Sequence, residues 1–84
     1  MTVTPFDTDQ LASLLIHEIE EETGNTVGSL GVKLVDLDMD SLTFSEVLMN
    51  LERKLGVELD LVETFELDRE ADVAKLLTAI MDRL

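Results

Sequence analysis

One stretch constrains the fold more than any other: residues 40–56, Asp-Ser-Leu-Thr-Phe-Ser-Glu-Val-Leu-Met-Asn-Leu-Glu-Arg-Lys-Leu-Gly. Phe44, Val47, Leu48, Leu51 and Leu55 recur at steps of three and four. At the helical advance of about 100° per residue they share one arc, also about 100° wide. Asp40 is a residue type that accepts bonds from free N–H groups at a helix start, and Gly56 is one that closes a helix in a left-handed turn. A one-sided apolar helix is stable only against other elements that cover its face. The remaining residues must supply them.

They do so as further helices. Asp7 or Thr8 opens a first helix, with Gln10 at capping-box spacing from Asp7, and Leu11, Leu14, Leu15 and Ile19 form its apolar face. Gly24 ends it, after Glu20, Glu21 and Glu22, three acids at the unfavourable end of the dipole, where fraying is expected. From Gly24 to Asp40, Gly28 and Gly31 break any long helix. Val27, Leu30, Val32, Leu34, Val35 and Leu37 are too apolar for a loose linker. An ordered loop pinned on the core is expected, and loops of that length in compact domains usually have a function. Val57 and Leu59 turn the chain back, and Asp60 can cap a short third helix carrying Leu61, Val62 and Phe65. A fourth runs from Asp68 or Glu70 to the end through Val73, Leu76, Leu77, Ile80 and Leu84. No alternating strand pattern exceeds Val57-Glu58-Leu59. The expected class is all-α: a four-helix bundle of three longer helices and one short one, with a long ordered loop before the second. With 84 residues, 1–84 is read as a single domain.

Charge narrows the function. Nineteen acids against six basic residues give a formal charge of -13, which repels nucleic acid and anionic lipid and favours basic protein surfaces. There is no cysteine, so the chain has no disulfide, no thiolate metal site and no thiol of its own. The first residues have neither a basic region nor an apolar run, and no segment approaches the roughly 20 apolar residues of a membrane span. A cytoplasmic, monomeric protein without a membrane or nucleic-acid partner is expected.

Four groups of residues invite a chemical reading. Asp36, Asp38 and Asp40 alternate like the start of a calcium loop, but the required hinge glycine and bidentate glutamate fall on Ser41 and Val47. His17, the one histidine, has no nucleophile beside it in the sequence. The many carboxylates need a pocket to become acids or bases, and in so small a bundle most face water. No nucleophile–base pair or metal site emerges, so no enzyme is expected. The fourth group is Leu37-Asp38-Met39-Asp40-Ser41-Leu42, at the junction of loop and helix.

Asp-Ser-Leu opening a helix, with a long loop before it and two more helices behind, resembles the acyl carrier protein family. The likeness spans nearly the whole chain and is closest from Leu37 to Leu55, with Val57-Glu58-Leu59 as the exit from the helix. It implies that Ser41 carries 4'-phosphopantetheine, taken from coenzyme A by a phosphopantetheinyl transferase, and that Asp40 is the motif aspartate and cap. The arm would bring the thiol that the chain lacks. The resemblance further implies loading by a ligase or acyltransferase specific for acyl or aminoacyl groups, and delivery as a thioester to downstream synthase or transferase enzymes. On the wheel, Leu42, Glu46, Met49 and Arg53 lie opposite the core arc. In carriers this face resembles the surface that partners grip. Leu42, Glu46, Met49 and Glu52 match that pattern, and Arg53 reverses a charge.

Two departures point away from fatty acid synthesis. Asp38 stands where such carriers show glycine, and Thr43, Arg53 and Lys54 stand in a helix that is more uniformly acidic there. They direct the expectation to a stand-alone carrier of specialised polyketide, peptide or aminoacyl-transfer pathways, antibiotic biosynthesis among them. The rival is an unmodified acidic helical adaptor that binds a basic protein surface.

Overall fold

Three helices each start at an aspartate whose carboxylate takes up a free N–H one turn ahead. In the computed structural model, which describes residues 7–61 and 70–83, these are α1 (Thr8–Thr23), α2 (Ser41–Leu55) and α3 (Val73–Met81). Asp7 accepts from the Gln10 amide at 2.7 Å, and the Gln10 side chain returns a bond from the Asp7 amide, completing the capping box. Asp40 accepts from Thr43 and Asp72 from Lys75, both at 2.8 Å. Gly24 and Gly56 close α1 and α2 with φ of 72° and 71°, a conformation that costs glycine nothing.

Every regular element among the described residues is a helix, and the one extended pairing is a lone antiparallel bridge between Lys33 and Asp72. Helix α1 packs against both α2 and α3. Leu11, Leu15 and Ile19 from α1, Val47, Leu48 and Leu51 from α2, and Val73, Leu76 and Ile80 from α3 are fully buried. Phe44 joins them, while Leu14 and Leu55 are half-buried at the margin. The last turn of α1 is complete, and its acids serve tertiary bonds: Glu20 Oε2 accepts from the Val27 amide at 2.8 Å.

The loop before α2 is pinned as the apolar pattern requires. Val27, Leu34 and Leu37 are buried, and Leu34–Leu37 form a short 3-10 turn that the glycine-broken pattern did not announce. Val35, grouped above with the apolar anchors, instead points outward at 48% exposure. Backbone bonds tie the loop to the start of α3: Leu34 to the Ala71 carbonyl (2.9 Å), Val73 to Val32 (3.0 Å) and Ala74 to Leu30 (2.9 Å).

The last helix begins later than Asp68 or Glu70 and stops at Met81, short of the chain end. Asp72 is the cap: it sits in the antiparallel bridge with Lys33, the Ala71 carbonyl accepts from the Leu34 amide, and the Val73 and Ala74 amides, free at the helix start, donate to the loop carbonyls of Val32 and Leu30. Leu61 is buried, but Val62, Phe65 and the rest of the expected short helix lie outside the described residues, as does Leu84.

Candidate functional site

The loop and α2 meet at residues 37–42. Leu37 anchors the loop in the core, and its carbonyl accepts from the Asn25 side chain at 2.9 Å. The chain then reverses at Asp38, whose φ of 54° and ψ of 32° are left-handed. It becomes extended at Asp40 and enters the helix at Ser41. A side chain with a Cβ is strained in the left-handed region, and aspartate is among the few that tolerate it.

Ser41 is the first residue of α2 and is exposed. The Asp40 carboxylate beside it is held below the usual carboxylate range, chiefly by the Thr43 backbone N–H. The first turn of α2 contains no acidic residue, in a chain with nineteen. Ser41 therefore stands at the positive end of the α2 dipole, in the turn whose first amides have no carbonyl partner one turn earlier in the helix, though the Thr43 amide is taken by Asp40. That donor set fits an anionic phosphodiester on a flexible arm. Among the described residues no group of carboxylates or histidine is arranged to hold a metal ion.

Along α2, Leu42 is 69% exposed and Met49 57%, more than any other large apolar side chain among the described residues. Glu46 and Arg53 are exposed on the same face, and Glu52 is half-buried at its edge. His17 is exposed, with Nε2 3.7 Å from Glu21 Oε1.

Several polar contacts were not legible in the sequence. Glu18 is buried on α1 and pairs with Lys54 of α2. Glu22 of α1 accepts from the Asn50 amide at 3.0 Å, and Asn50 in turn accepts from Arg53. Glu46 lies beside Glu22, and hydrogen bonding to that side chain together with its negative charge raises the Glu46 carboxyl above its ordinary value. Only the three-residue spacing of Asn50 and Arg53 is a local signal. The rest join helices far apart in sequence.

No curated protein and no solved structure matches the chain. The family model described as the phosphopantetheine attachment site does match, over residues 13–77, which takes in α2 whole and most of α1 and α3. The chain therefore belongs to the phosphopantetheine attachment site family and is a carrier protein for the 4'-phosphopantetheine prosthetic group.

Proposed function

We propose that Ser41 is the attachment residue and that the chain shuttles acyl or aminoacyl groups as thioesters. The observation that carries this reading is the setting of Ser41: an exposed hydroxyl at the first residue of α2, capped by Asp40, in a turn free of acids. Attachment joins the Ser41 Oγ to the phosphorus of the phosphopantetheine half of coenzyme A. The hydroxyl proton is lost, and the nucleotide half leaves as the pyrophosphate bond breaks. When bound, the arm supplies the thiol on which cargo is held. Asp40 fixes the backbone at the helix start, and the first-turn amides it leaves unbonded would hold the phosphodiester at the positive end of the helix.

In this reading residues 1–84 form one cytoplasmic, monomeric carrier domain that catalyses nothing itself. Its partners are a phosphopantetheinyl transferase, a loading ligase or acyltransferase, and downstream synthase or transferase enzymes. Leu42, Glu46, Met49, Glu52 and Arg53 form the face they grip. Asp38 and Arg53 favour a specialised polyketide, peptide or aminoacyl-transfer pathway over fatty acid synthesis. No helix among the described residues is long and apolar enough to cross a membrane.

The test is intact-mass analysis after incubation with coenzyme A and a broad-specificity phosphopantetheinyl transferase. The wild type should gain one phosphopantetheinyl group. Ser41→Ala should fold normally, as an exposed first-turn change, and gain none. Uptake by the alanine variant would move the attachment point elsewhere, and no uptake by the wild type would favour the adaptor.

A further inference from the structure

Two neighbouring cations end α2, and the fold treats them in opposite ways. Lys54 is neutralised within the protein by buried Glu18. Arg53 is exposed and makes no ion pair with any described residue, although the chain has nineteen acids. Its guanidinium donates instead to the Asn50 side-chain oxygen, and the Asn50 amide is fixed on Glu22 Oε1 of α1. A neutral amide, anchored across two helices, thus holds a positive charge toward the outside. A guanidinium oriented in advance loses less freedom when a partner pairs with it, and its planar fork suits a carboxylate.

Arg53 shares its face with Leu42, Glu46 and Met49. It stands 12 positions after Ser41, about 18 Å along the helix, and 7 after Glu46, about 10 Å. We infer that the partner protein that grips α2 carries an acidic side chain opposite Arg53, next to the apolar contacts of Leu42 and Met49. The inference rests on reading Ser41 as the attachment residue. It makes Arg53 a specificity residue and Asn50 its positioning residue: a uniformly basic partner surface would meet one mismatched charge.

The test uses the whole chain, coenzyme A and a phosphopantetheinyl transferase whose carrier-binding surface is basic, with kcat and KM followed by intact mass at low and high salt. Arg53→Glu should raise kcat/KM about tenfold at low salt, mainly through KM, with Arg53→Gln between, and the gain should shrink in high salt. Each Lys or Arg of the transferase surface is then changed in turn to Glu. One such variant should prefer the wild-type chain about tenfold over Arg53→Glu, reversing the order. With that variant, Asn50→Leu, which keeps the charge but frees it, should raise KM about threefold and leave kcat unchanged. Equal kcat/KM for wild type and Arg53→Glu at low salt, with no transferase variant separating them, would overturn the inference while leaving Ser41 modified. A wild-type chain that takes up no arm at all would remove the attachment reading, and this inference with it.

Discussion

At Asp38 a single backbone angle links the sequence to the geometry of the site. The position is the one where carriers of fatty acid synthesis show glycine, and its φ of 54° supplies the reason. The left-handed region costs most side chains about 1–2 kcal/mol, and aspartate less. Glycine removes that strain but adds unfolded-state entropy worth about 0.4–1 kcal/mol. A net gain of about 0.5 kcal/mol is expected for Asp38→Gly. Asp38→Asn separates the backbone effect from loss of a charge, and Asp38→Val, branched at Cβ, should cost at least 1–2 kcal/mol. Thermal melting should rank Gly above Asn, Asn above Asp, and Val last. A valine variant as stable as wild type would show that the reversal before Ser41 does not depend on this angle.

At the scale of the element, α2 has two faces with opposite duties. Leu51 is fully buried between α2 and its neighbours, whereas Leu42 is 69% exposed. Truncating Leu51 to Ala removes buried methyl groups and leaves a cavity, an expected loss of about 2–5 kcal/mol. That is a large share of a stability on the order of 5–10 kcal/mol for so small a domain. Leu42→Ala should stay within about 0.5 kcal/mol of wild type. Urea midpoints measure both, and similar shifts for the two variants would mean that α2 does not present these faces as described. Because the core side is so clearly marked by Phe44, Val47, Leu48 and Leu51, the helix itself was legible from residue types alone. The start of α3 was not. Residue types pointed to Asp68 or Glu70, whereas the pairing of residues 71–74 with the loop sets the cap at Asp72.

For the whole molecule the dominant long-range term is its formal charge of -13. Repulsion among carboxylates opposes the compact state and is screened by salt. The melting temperature should therefore rise with sodium chloride up to a few hundred millimolar. The Glu46–Glu22 contact adds a local pH dependence. Glu46 binds its proton more tightly folded than unfolded, so between its ordinary value of 4.5 and its raised folded value the folded state holds more protons. Stability therefore falls as pH rises through that window. Glu46→Gln should flatten this part of the melting-temperature profile and raise the melting temperature at neutral pH. An unchanged slope in the variant would show that the carboxyl pair does not couple the helices.

What the sequence determined by itself is local: the presence of three helices, the aspartate caps and glycine stops of α1 and α2, the inward faces of those two helices, and an exposed serine at the start of α2. These follow from hydrogen bonding and periodicity within a few residues, so residue types suffice. What only the tertiary structure decided lies between elements. The pairing of Lys54 with Glu18, the Glu22–Asn50–Arg53 relay, the outward turn of Val35 and the start of α3 depend on which surfaces meet. Nineteen acids offer many equivalent partners to a few cations, and no local rule selects one. Packing selects it, because side chains 28 or 36 residues apart come within bonding distance only after the helices have buried their apolar faces.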